Sequence, residues 1–131
     1  MKALVIPTSL ASRLRIVELG KDQLQSFYKI IGCRVIDYVN LGYTPKGLAV
    51  DAVVDDEALL QEHPITNQRF CFAYFRQRMQ YLLFGTVVVV LSNEDTGKTA
   101  KFNLDAVRDL LVLQYGFNPN DFSEENLNAN V

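Results

Sequence analysis

The sequence predicts an α+β fold: a single compact domain with a mixed or antiparallel sheet of about five to six strands packed with about three helices. Three observations predict it. Short β-branched runs such as CRVIDYVNL and FGTVVVVL alternate irregularly with amphipathic stretches such as LQSFYKII, without a strict βαβ rhythm. Polar turns such as SNEDTG sit where hairpins would close. The 131 residues are 49% hydrophobic and 21% charged, enough for one globular core, and no repeat or linker divides them.

The elements follow in order. Met1 to Ile6 is a first strand ended by Pro7, which has no N–H to give a sheet ladder. Arg13 to Glu18 alternates charged and apolar residues and reads as a half-buried strand broken by Gly20. Lys21 to Ile31 is a helix with Leu24, Phe27, Tyr28 and Ile31 on one face, stopped by Gly32. Arg34 to Leu41 and Leu48 to Val54 are strands around a turn marked by Gly42, Pro45 and Gly47. A polar connection then runs to Pro64.

Thr66 or Asn67 is a good N-cap, and the stripe Cys71, Tyr74, Phe75, Met79 and Leu82 predicts a helix over Asn67 to Tyr81. Phe84 to Leu91 is a buried central strand, and Lys98 to Phe102 is its hairpin partner. Asn103 or Asp105 opens a last helix, with Leu104, Val107, Leu110, Leu111 and Gln114 on one face, that Gly116 closes after Tyr115. The domain therefore spans 1–116. Residues 117–131 form an acidic, Asn-rich tail, expected to fray or to pack only through Phe117 and Phe122.

Composition narrows the function. A formal net charge of -2 lacks the basic excess of a nucleic-acid binder, so nucleic acid is not the expected partner. Cys33 and Cys71 are too far apart for a CxxC pair or zinc knuckle and are expected as buried free thiols. The apolar run Ala3 to Ile6 is too short for a signal peptide. The run from Tyr81 to Leu91 is about half a membrane-spanning helix. A cytoplasmic protein without a membrane segment is expected, and no cofactor motif is present.

Several residues are candidates for chemistry. Asn67 and Arg69 open a helix whose N–H groups favour an anion, and Arg76 lies two turns on with Phe72 between. This Arg–Phe–Arg face would stack a base and hold a phosphate. His63, the only histidine, is the one candidate of its type for acid/base or ligand contact. Asp51, Asp55, Asp56 and Glu57 cluster near a strand end and would offer oxygen ligands to a divalent metal, although their spacing is not that of an EF-hand. A solvated turn is the simpler account of these four. No serine lies in a nucleophile elbow, and TGK at Thr96 to Lys98 lacks the rest of a P-loop.

The order of features from Leu24 to Leu91 resembles the DUF3846 family, small uncharacterised proteins often encoded by phages and other mobile elements. The features that carry the resemblance are Leu24, Ile31 and Gly32, then Val35 and Ile36, then Asp55 and Asp56, Pro64 and Asn67, and Gly85 with Val87 to Val90. The pattern departs where Cys33 replaces the second glycine of a pair, where an acidic residue moves to Asp37, and where Phe70 and Cys71 replace small residues. The resemblance implies a context, an accessory protein of a mobile element, and no reaction.

The leading expectation is a non-enzymatic binding protein for a host protein or a nucleotide-like anion, using Asn67, Arg69, Phe72, Arg76 and His63. A homodimer is expected to cover Tyr28, Tyr38, Phe72 and Tyr74. The alternatives are a small divalent-metal-dependent hydrolase or nuclease built on the four carboxylates, and a DNA-binding regulator, which lacks a basic recognition helix.

Overall fold

Alternating apolar residues along three strands close both faces of one sheet. On β5, Val87, Val89 and Leu91 point into one core and Val88 and Val90 into another. The computed structural model describes residues 1–128 and places ten elements in order. They are β1 (Lys2–Ile6), β2 (Arg15–Glu18), α1 (Gln23–Ile31), β3 (Ile36–Tyr43), β4 (Ala49–Asp55), α2 (Gln68–Phe75), β5 (Val87–Asn93), β6 (Lys98–Ala100), α3 (Leu104–Tyr115) and α4 (Glu124–Asn128). Short 3-10 turns cover Ala58–Leu60 and Pro119–Phe122.

The six strands form one antiparallel sheet in the order β2-β1-β5-β4-β3, with β6 also on β5. β1 pairs with Val87 to Val89 and β6 with Leu91 to Asn93, while β4 runs along β5 from Val88 to Ser92. The fold class is α+β. The alternation that sorts the two cores is the two-residue period of a strand.

The larger core joins Leu4, Ile6, Val50, Ala52 and Val54 to Phe70 of α2 and Val107, Leu110 and Leu111 of α3. Phe117 and Phe122 also lie in it, and Leu127 packs against it. The smaller core packs Phe27, Ile30 and Ile31 of α1 on Val5, Val53, Val88 and Val90. Leu24 stands outside this contact, largely exposed, so the buried face of α1 is turned from the one its spacing predicts. Asp22 caps α1 by accepting from the Gln25 N–H, and Gly32 stops it in the left-handed conformation at φ 76°. Asn103 caps α3 in the same way, accepting from the Ala106 N–H.

β3 carries a bulge between Asn40 and Gly42. Gly42 has φ 145°, a backbone conformation that side-chain-bearing residues rarely adopt, and a Cβ there would lie 2.9 Å from the side chain of Leu110 in α3, which would have to shift. The Tyr115 hydroxyl, at the end of the same helix, donates to the Leu41 carbonyl within the bulge at 2.6 Å. Gly42 thus lies within the strand, not in the turn.

α2 ends at Phe75, six residues before the end its stripe predicts. Its buried residues are Arg69, Phe70 and Ala73, and Phe75 is 72% exposed. Tertiary pairing explains the stop. Thr66 bridges to Phe84, the Asn67 N–H donates to the Leu83 carbonyl, and the Gly85 N–H donates to the Ile65 carbonyl. A helix from 67 to 81 would separate its ends by roughly 20 Å, and two further residues cannot bring the chain back to Asn67. The segment must fold over. It does so at Gln77, the one non-glycine residue with positive φ among those described, at 61°. The Gln77 N–H donates to the Tyr74 carbonyl and the Arg78 N–H to the Ala73 carbonyl, the two bonds of a Schellman closure.

Cys33 and Cys71 are both free and half-buried, where buried thiols were expected. Burial is the first cause that pushes the Cys33 thiol up, and the nearby Asp55 carboxylate adds to it. No described helix is long and apolar enough to cross a membrane.

Candidate functional site

Asn67 is fully buried at the head of α2 and makes no side-chain cap bond. Its amide nitrogen donates instead to the carbonyls of Ile6, Pro7 and Gly85 at 3.0, 3.3 and 3.1 Å. Its Oδ1 has no hydrogen-bond partner. The residue therefore ties the end of β1 to the approach of β5. Arg69 is 6% exposed, and its guanidinium donates to Asp121 at 3.2 Å and to the carbonyls of Ser9 and Ser12 at 3.2 and 2.9 Å. Each of its three nitrogens is engaged within the fold.

Arg69, Phe72 and Arg76 do come together. They line a shallow cavity of about 200 Å³ with Leu10, Asn118 and Asp121. The Arg76 guanidinium sits 5.9 Å from the centre of the Phe72 ring, a cation–π contact. His63 is exposed in the irregular connection before Thr66 and is not among the residues lining this cavity.

The four carboxylates separate. Asp51 lies inside β4, where it accepts from the Ser92 hydroxyl at 2.7 Å and from the Asn40 amide at 3.1 Å. Asp55, about 13 Å further along the strand, accepts from the Glu57 N–H and from Gln61. Asp56 follows in an exposed turn. Glu57 makes a two-bond ion pair with Arg34 at 2.7 and 3.1 Å, which holds its carboxyl below the ordinary range. Among the described residues, no three His, Cys, Asp or Glu side chains gather as a metal site would need.

Sequence reasoning singled out Phe72 and Arg76 but missed the stretch from Gln77 to Tyr81 as part of the same surface. Phe72 and Phe75 of α2 are 50% and 72% exposed and Tyr81 is 52% exposed, and Leu59, Leu60 and Ile65 of the β4–β5 connection are exposed too. Tyr74, Phe75, Gln77, Arg78, Met79 and Gln80 line an open cleft there. Arg78 donates to the Leu113 carbonyl at 3.3 Å. A Cβ on Gly116 would lie 3.2 Å from Arg76 Nη1 and 3.6 Å from the Arg78 guanidinium carbon. The left-handed Gln77 between them thus brings both guanidinium groups to one spot at the end of α3. Neither makes an ion pair among the described residues. The signal in the sequence was the composition FAYFRQRMQY, which has aromatics, Arg and Met but no Lys, Asp, Glu or Ser.

Comparison with curated proteins and with solved structures finds no match. The model of one family, described as a domain of unknown function (DUF3846), matches residues 1–111. That span runs from β1 into α3 and takes in every strand of the sheet as well as α2 and the cleft beside it, and the chain belongs to the DUF3846 family.

Proposed function

We propose that this chain is a non-enzymatic accessory binding protein that grips a host protein through the surface from Phe72 to Tyr81. The observation that carries the reading is this surface's composition. Interface cores are enriched in aromatic residues, Met and Arg and depleted in Lys, Glu and Asp, and binding energy concentrates in aromatic and Arg anchors. Phe72, Phe75, Tyr81, Arg76 and Arg78 are exposed in one short stretch, with Met79 half-buried among them, and meet that description. The partner surface would offer apolar pockets for Phe75 and Phe72 and carboxylates for the two arginines. The family context, an accessory protein of a phage or mobile element acting in the host cytoplasm, agrees with action by binding.

The strained Gln77 supports the same site. Gly32 and Gly116 close the other two long helices at positive φ without strain. A glycine would serve the turn equally, so the side chain kept at 77, lining the cleft, is best explained by a contact it makes with a partner.

The test compares Phe75→Asp with a control, Leu24→Asp, at an exposed apolar site elsewhere. Capture of a host protein by the immobilised chain should be lost in the first and kept in the second, with both variants unfolding near the parent temperature. Capture that survives Phe75→Asp would refute the assignment. Light scattering on the parent identifies a second copy as the occupant if a dimer becomes a monomer in Phe75→Asp. The contact of Arg76 with Phe72 also favours a nucleotide-like anion as the ligand; thermal stabilisation by nucleotides that vanishes in Arg76→Ala would select it.

A further inference from the structure

A cavity of about 400 Å³ lies between the turn that joins β3 to β4 and the outer face of α3. It shares no lining residue with the cleft beside α2. Its lining is largely apolar. Leu91 and Leu110, both buried in the larger core, form its floor, and Leu48 and Ala106 stand half-buried on its two sides. Leu113 is at the mouth, 76% exposed.

Both walls are preformed. The turn closes on itself: the Thr44 N–H donates to the Leu48 carbonyl at 2.9 Å, the Leu48 N–H to the Thr44 hydroxyl at 3.1 Å and the Gly47 N–H to the Thr44 carbonyl at 2.9 Å. The opposite wall is α3, capped at Asn103 and closed at Gly116. A ligand entering between such walls does not bear the cost of ordering them. A concave, mostly apolar space of this volume with a few polar groups at its rim is the usual form of a small-molecule site.

Charge sets the polarity of the ligand. Asp105 and Asp109 line the cavity, but Arg108 answers both, at 3.1 and 3.2 Å. A neighbouring hollow continues the cavity past Leu48. Lys46 lines both spaces and Lys101 lines the second. Neither lysine has an ion-pair partner among the described residues. The groove therefore runs from an apolar stretch at Leu113 and Leu110 to two exposed ammonium groups with no carboxylate of their own. A cationic head would be repelled there, and a neutral one would leave both charges unused.

We propose that this groove binds a free medium-chain fatty acid, with the alkyl chain on Leu48, Leu110 and Leu113 and the carboxylate between Lys46 and Lys101.

Titration of the full chain with decanoate, kept below its micelle-forming concentration and followed by NMR, tests it. Saturable shifts are expected at Leu48, Ala106, Leu110 and Leu113, and none from Phe75 to Tyr81. Octanoate, two methylenes shorter, should bind about tenfold more weakly. Lys46→Glu combined with Lys101→Glu should weaken decanoate about tenfold. Ala106→Leu, which fills the space over the floor with a residue that a helix favours, should abolish saturation. Thermal unfolding checks that these variants fold. Decanol or decyltrimethylammonium binding as tightly as decanoate would overturn the proposal. So would an affinity that does not rise with chain length, an affinity unchanged in either variant, or no saturable shift at millimolar concentration. A dimer of the parent, seen by light scattering, that Leu113→Asp dissociates and decanoate does not disturb would give the groove to a second copy and overturn it as well.

Discussion

At Asn67 the fold takes up the side-chain amide nitrogen and leaves the buried Oδ1 without a partner. Its amide nitrogen donates to three backbone carbonyls at the end of β1 and the approach of β5. Asn67→Ala is therefore expected to cost about 3 kcal/mol, the desolvation of stranded acceptors. Asn67→Asp, close in size, should cost more, because it turns an acceptor toward acceptors. Urea denaturation of the two variants checks the order; Asp tolerated better than Ala would contradict the assignment. Arg69 is in the same position, since Asp121, Ser9 and Ser12 take its donors. Glu57 makes a different case, on the surface. Arg34 lowers its pKa, so the pair stabilises the fold at neutral pH, and that contribution fades as pH falls below the ordinary value of 4.5. Arg34→Ala should lower stability slightly at pH 7 and by less at pH 3. An equal loss at both, measured by thermal unfolding, would mean that the pair acts through packing and not charge.

At the scale of elements, the instructive case is α2. Its stripe from Cys71 to Leu82 predicts a helix twice as long as the one formed, because periodicity reports local preference and not the pairing of residues 65–67 with 83–85. The turn that results costs Gln77 a left-handed backbone, about 1 kcal/mol for a side chain that is not glycine. Gln77→Gly should accordingly stabilise the chain by up to about 1 kcal/mol in chemical denaturation while weakening partner capture. A destabilised Gln77→Gly would show that the side chain holds the turn itself. Elements set by local chemistry were legible: α1 and α3 end at Gly32 and Gly116, and β5 falls in the valine run. The candidate site was legible in part. Phe72 and Arg76 are exposed together, whereas Asn67 and Arg69 read as ligands because nothing local reveals that Ile6, Ser9 and Asp121 will engage them. Arg78 was invisible for the complementary reason: only the reversal at Gln77 swings it beside Arg76.

At the scale of the whole molecule, one antiparallel sheet separates two cores of unequal size. The aromatic and arginine surface belongs to the long connection between β4 and β5, beyond the larger core. The half-exposed Tyr38 and Tyr43 belong to the opposite face of the sheet, beside the smaller one. The pairing of β1 with β5 has a bearing on how such a chain is made. Leu4 meets Val89 only after the intervening residues exist. At 5–20 residues per second, the ribosome needs roughly 4–17 s to supply them. For that interval the first strand has only its β2 hairpin for company and leaves a valine- and isoleucine-bearing edge open to other nascent chains. Slowing initiation, so that fewer half-made copies crowd each message, should raise the soluble yield more than any change to the finished surface.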